Sequence, residues 1–169
     1  MKRRIINHWT AGNFTPCADD LFHYHFLIDV GGRVIPGVFS VKANDNCKDG
    51  EYAAHCGGGN TNRIGIAVCG MKGFVSAKKQ GNRKLSKIQI EKLFALNAKM
   101  LLDEGWNEAT LDNLMTHKEF GDLHPDTSSA GKIDISFLPA YPTIKPDEVG
   151  DFIRAKTNWY IKKLQEKRG

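Results

Sequence analysis

No stretch of this 169-residue chain approaches the roughly 18 to 20 apolar residues that a membrane-crossing helix needs. Its start, MKRRIINHW, carries a basic pair but neither the apolar core nor the small-residue cleavage site of a secretory signal. Synthesis in the cytoplasm is therefore the expectation. Cysteine is scarce, and Cys17, Cys47, Cys56 and Cys69 form no C-x-x-C, which argues against a structural zinc ribbon. Aromatic residues make up only 9%, with no stacking-aromatic signature and no recognition-helix motif. The formal charge of +5, gathered in 78-KKQGNRKLSK-87 and 162-KKLQEKRG-169, thus reads as solvated basic faces rather than as a nucleic-acid surface. There is no internal repeat, no linker, and no case for the paired carboxylates of a glycosidase.

What is present suits one globular domain over 1–169. Hydrophobic residues at 41% and charged residues at 25% are ordinary for such a domain, and the length suffices to bury a core. Residues 3–8 read as a short buried strand. The segments 23-HYHFLID-29 and 33-RVIPG-37 read as a hairpin about Gly31-Gly32, and 64-IGIAVCG-70 as a further strand. Residues 40–63 lack periodicity and predict a long loop that lines something. Ser86 and Gln89 form a capping-box signature for a helix to about Asp103, stopped by Gly105. A short helix is expected near 108–115 and a last one from about Asp147 to Leu164. Together these predict an α/β fold with a central mixed β-sheet flanked by helices. Cys69 lies in an apolar strand and is expected to pack as a small hydrophobe. Cys47 and Cys56 flank a loop, and whether they pair is left open.

The chemistry centres on His8 in IINHWTA, His117 in MTHKEFG, and Lys132 and Asp134 in GKIDIS. His8 sits where a strand runs out, at an edge of the sheet. His, His and Asp make a three-ligand zinc set that leaves a fourth position for water, as in catalytic rather than structural sites. A lysine beside it suits an oxyanion in a hydrolytic transition state. A lone histidine is more often structural than a ligand, however, and these residues can meet only through tertiary structure. His23 and His25 offer a rival His-x-His placement. Strand alternation would put both on one face and Tyr24 on the other. His124, in a polar loop, has no nameable partner.

In order along the chain, IINHWTA, YHFLID-x-GG-x-VIPG, AAHCGGGNTNRIGIAVCG, 89-QIEKL-93, THKEFG and GKIDISFLP resemble the zinc N-acetylmuramoyl-L-alanine amidases. That family is shared by phage lysozyme-type amidases and peptidoglycan recognition proteins. The resemblance spans roughly residues 4 to 139 and implies one Zn2+ per chain, held by His8, His117 and Asp134. It also implies Lys132 as the residue stabilising the transition state. Tyr24 would approach the nucleophile or substrate, and His55 would line the cleft in front of the metal.

Two departures stand out. A subgroup of the family carries a catalytic glutamate one residue after Ile66, where this chain has Ala67, so the tyrosine–lysine variant is implied. Only 9-WTAGNFTPCADDLF-22 separates the first ligand strand from Tyr24, too short for the long helix of phage relatives. A more open cleft on that side follows, with the peptide subsite undetermined. The leading expectation is a monomeric amidase cutting between N-acetylmuramic acid and L-alanine of bacterial peptidoglycan. With no signal peptide it would be a phage or prophage endolysin, acting on the wall after release by a separate membrane-permeabilising protein. The competing expectations are a non-catalytic peptidoglycan-binding module and, in third place, a basic nucleic-acid-binding protein.

Overall fold

Strand β4 (Arg63–Val68) presents two kinds of residue on its two faces, because side chains alternate along a strand. Ile64, Ile66 and Val68 join the main apolar core, whereas Gly65, Ala67 and the following Cys69 are small and face the other side. Strand β1 (Arg4–Trp9) lies parallel beside it in the register His8↔Ala67. There Ile5 and Trp9 enter the main core, and Ile6 belongs to a separate cluster with Cys56 and Phe120. His8 follows Ile6 in the alternation and so shares its face, over the small residues of β4.

The computed structural model describes residues 1–169 and holds five strands in one mixed sheet. Beyond β1 and β4 these are β2 (Phe26–Ile28), β3 (Val34–Pro36) and β5 (Leu114–Thr116). Their order is β3-β2-β4-β1-β5, with only β2–β3 antiparallel. The carboxyl ends of β1 and β5 therefore emerge side by side, at the end of a sheet where α/β proteins commonly build sites.

One face is covered by helices α2 (Lys87–Asp103) and α4 (Val149–Arg168). Ile90, Leu93, Phe94, Ala98 and Leu101 recur at helical spacing on α2 and are all buried against the sheet and α4. Full burial of a side chain such as Phe94 is worth about 1.5–3 kcal/mol. The expected capping box is present, with Ser86 Oγ accepting from the Gln89 N–H at 3.1 Å. Gly105, at φ +80°, ends the helix in a Schellman motif: Trp106 N–H reaches Leu101 O and Gly105 N–H reaches Leu102 O. The buried Asn7–Asn97 amide pair ties β1 to α2.

Three expectations change. The 23–29 segment is not strand throughout, because α1 (Ala18–His23) extends to His23 and β2 begins only at Phe26. The Asp20 carboxylate caps the start of that helix by accepting from the Cys17 N–H, and the Tyr24 N–H donating to Asp20 O carries its last turn into the segment expected to be strand. No helix forms at 108–115. Asn113 instead closes a turn, accepting from the Thr110 N–H and donating to Glu108 O, and β5 follows. The helix lies after this strand, as α3 (His117–Leu123), with Thr116 and Glu119 completing a capping box. The last helix runs further than expected, to Arg168. The long loop contains a 3-10 turn, Val41–Asp45. Cys47 and Cys56 are both free thiols. No helix is long and apolar enough to cross a membrane.

Candidate metal centre and active-site cleft

His8 comes from the end of β1, His117 from the first turn of α3 directly after β5, and Asp134 from the loop that follows α3. Thr116, whose hydroxyl accepts from the Glu119 N–H, fixes the point where chain becomes helix, and so fixes His117. Asp134 is anchored by its own carbonyl, which accepts from the Lys118 N–H. All three side chains are buried, His8 completely.

Their ligand atoms converge. His8 Nδ1 is 3.1 Å from His117 Nδ1 and 3.1 Å from Asp134 Oδ2, and His117 Nδ1 is 3.2 Å from the same oxygen. A tetrahedral ion with ligand bonds of 2.0–2.1 Å has ligands about 3.3 Å apart, so the triangle matches a zinc-sized cation. Two imidazoles and one carboxylate, with a cleft above them, are also the right donors. The donor set fits zinc.

The electrostatics follow from burial and proximity. Burial pushes His8 down to about 4 against the pull of Asp134, leaving it a neutral imidazole. Burial opposes charge on His117 too, but its bond to Asp134, helped by Cys56, prevails and raises it to about 9. Asp134, despite its own burial, is held well below the usual carboxylate range by His117 and His8. Burial, with the nearby Asp134 charge, raises the Tyr24 phenol, so it stays protonated.

Above these atoms lies a cleft of about 490 Å³. Tyr24 and Lys132 line it, with Thr10, Ala11, Met71, Phe74 and Ile133 around them. The Tyr24 ring centre stands 5.1 Å from that of His8. Lys132 is exposed, two residues before Asp134 on the same loop. Ala67 is buried beside His8, with Leu21 and Tyr24 packed over its cluster, so no carboxylate enters from β4.

His55 borders the cleft but is chiefly a buried neighbour of His8. Its Nδ1 lies 3.0 Å from His8 Nε2, the ring edge away from His117 and Asp134. It fits because β4 has Gly65 there: a Cβ at that position would come within 2.5 Å of the His55 ring.

The rival His-x-His placement is not formed. His25 Nδ1 accepts from the Gly65 N–H and its Nε2–H donates to Asn44 Oδ1, so both nitrogens are engaged. His23, in α1, donates to Asp19 O and is exposed at the cleft rim. It does not share the face of His25, because the segment is helical where alternation was expected. His124 donates to Phe120 O and stacks on that ring.

Sequence reading missed Ser129, which is fully buried and whose Oγ lies 3.0 Å from His117 Nε2. Nothing in its local sequence marks it. The α3 start was legible in principle, since T-H-K-E is itself a capping-box pattern.

The fold has solved counterparts. N-acetylmuramoyl-L-alanine amidase LysC from Clostridium intestinale URNW superposes with a TM-score of 0.56 at 17% identity, covering 94% of this chain and 87% of its own. The endolysin amidase LysCS from the same organism gives 0.56 and 17%, covering 94% and 85%. Among curated proteins, none matches the sequence. The model of the N-acetylmuramoyl-L-alanine amidase family matches residues 2–132, ending two residues short of Asp134. That match takes in most of the chain, including His8, Tyr24, His55, His117 and Lys132, and the chain belongs to the N-acetylmuramoyl-L-alanine amidase family.

Proposed function

We propose that this amidase hydrolyses the bond between the lactyl carbonyl of N-acetylmuramic acid and L-alanine in peptidoglycan. It uses one zinc ion held by His8, His117 and Asp134. The observation that carries the reading is the triangle of buried ligand atoms, 3.1–3.2 Å on a side, in a cleft lined by a lysine and a tyrosine. Zinc in such a site lowers the pKa of a water to about 7 and polarises the amide carbonyl, which together overcome the poor reactivity of amides.

The chain's own groups divide the remaining work. The Lys132 ammonium supplies positive charge where the carbonyl oxygen becomes an oxyanion. The Tyr24 phenol, kept protonated by burial, donates a hydrogen bond that orients the nucleophile or the carbonyl. Thr10, Ala11 and Phe74 form cleft wall, and His55 stands behind His8. We assign the protein an endolysin role in phage or prophage lysis, in line with the fold it shares with LysCS.

Digestion of purified peptidoglycan should release new L-alanine amino termini and no new reducing ends. Reducing ends without amines would refute the reading. His8→Ala, His117→Ala and Asp134→Ala should each lose stoichiometric zinc by elemental analysis while keeping native circular dichroism. Full zinc in all three would overturn the ligand assignment. For the endolysin role, expression inside a bacterial host should lyse cells only alongside a membrane-permeabilising protein.

A further inference from the structure

Each ligand histidine has its second ring nitrogen bound inside the protein, and both of these contacts lead to a backbone carbonyl. From His8 Nε2 the path runs to His55 Nδ1 at 3.0 Å, then from His55 Nε2 to Arg63 O at 3.4 Å. From His117 Nε2 it runs to Ser129 Oγ at 3.0 Å, then to Gly57 O at 2.8 Å. A carbonyl oxygen can only accept, which sets the direction of every bond upstream. His55 must donate from Nε2, so its Nδ1 is bare and must accept from a His8 Nε2–H. Ser129 must donate its hydroxyl proton to Gly57 O, so its oxygen accepts from a His117 Nε2–H. In both ligands Nε2 carries a proton, so Nδ1, the atom facing Asp134, is the one nitrogen free to give its lone pair to a metal.

We propose that His55 and Ser129 are positioning residues that hold His8 and His117 in the Nδ1-ligating tautomer and ring orientation. This rests on the reading that His8, His117 and Asp134 hold the metal. The two relays share one loop, because His55 and Gly57 are two residues apart in the chain. Close packing fixes that loop. Gly65 leaves room for the His55 ring, and a Cβ on Gly57 would fall 1.8 Å from Ser128 Oγ, beside Ser129. His55 and Ser129 are themselves buried, at 5% and 0% exposure, so water does not compete for either bond. Partners of this kind typically govern metal affinity by 10- to 100-fold.

The test compares His55→Leu with His55→Asn. The two replacements are nearly the same shape, but Asn keeps an acceptor at the position of Nδ1. Zinc affinity is measured by competition with a chromophoric chelator, and thermal unfolding of the metal-free proteins is followed alongside. The expected result is a roughly 10- to 100-fold loss of affinity in His55→Leu and a loss of under about fivefold in His55→Asn. Ser129→Ala should show a comparable loss through His117, and it carries the test should His55→Leu fail to fold. Ring ¹⁵N shifts of His8 in the metal-free protein should report Nε2–H in the native chain and a tautomer mixture in His55→Leu. Native affinity in both His55→Leu and Ser129→Ala would overturn the positioning roles while leaving the metal site intact. A native protein that takes up no stoichiometric zinc would instead overturn the metal reading, and this proposal with it.

Discussion

Replacing Arg154 with methionine should be among the most damaging single changes outside the cleft, and the structure indicates by how much. Arg154 lies in α4 and is only 8% exposed. One guanidinium nitrogen donates to Leu114 O and Glu119 Oε2, each at 2.9 Å, and the other to Glu119 Oε1 and Asp151 Oδ1, each at 2.7 Å. The Asp151 side chain is 83% exposed, so its pair with Arg154 is worth little. The Glu119 side chain is 20% exposed and packs against Gly150, where a Cβ would clash with it. Breaking a buried pair from one side costs about 3–5 kcal/mol, because the remaining charge is stranded. Glu119 keeps two donors, the Thr116 N–H at 2.9 Å and the Thr116 hydroxyl at 3.5 Å, which argues for the lower end. Leaving Leu114 O unpaired adds about 1 kcal/mol. The expected loss is therefore about 3–4 kcal/mol, or roughly 6–16 °C in Tm for a chain of this size. Urea unfolding of metal-free protein would measure it, with Arg154→Met/Glu119→Gln as control, which should recover part of the loss by removing the stranded charge. A loss below about 1 kcal/mol in Arg154→Met would refute the reasoning. Glu119 also closes the capping box ahead of His117, so the same variant should weaken zinc binding.

Three further outcomes are expected. Lys132→Ala should lower kcat by about 10²- to 10³-fold with little change in KM and normal zinc content, and near-normal turnover would make Lys132 a solvated loop residue. The metal-free protein should lose stability as pH falls from about 6.5 towards 4. Burial lowers His25 to about 4, so below pH 6.5 the unfolded chain takes up a proton that the fold refuses. For this one group that is about 2 kcal/mol between pH 7 and pH 5, visible as a shift in urea midpoint that shrinks in His25→Gln. Gln89→Met should cost about 2 kcal/mol, since Gln89 Nε2 donates to both Ile28 O and Cys69 O where β2 and β4 end, and an unchanged urea midpoint would count against it.

What the sequence determined by itself was whatever local pattern dictates. Helix α2 followed from its capping box, its apolar stripe and Gly105, and each signal acts within a few residues. β1, β4 and the β2–β3 hairpin followed from apolar runs bounded by turn residues. The ligand candidates were legible as residue types suited to zinc, and their joint order carried the family resemblance. Where two local signals competed, pattern failed. At 23–25 the last turn of α1 displaced the expected strand and separated His23 from His25, and at 108–115 the Asn113 turn left room for a strand where a helix was expected. The tertiary structure alone decided that His8, His117 and Asp134 meet, since the contact needs β1 and β5 adjacent and parallel, and no spacing encodes that adjacency. It alone also decided the roles of the unmarked neighbours. The His55 ring lies against Gly65, where a Cβ would clash with it, and the buried Ser129 Oγ lies 3.0 Å from His117 Nε2, and both contacts come from residues distant in sequence.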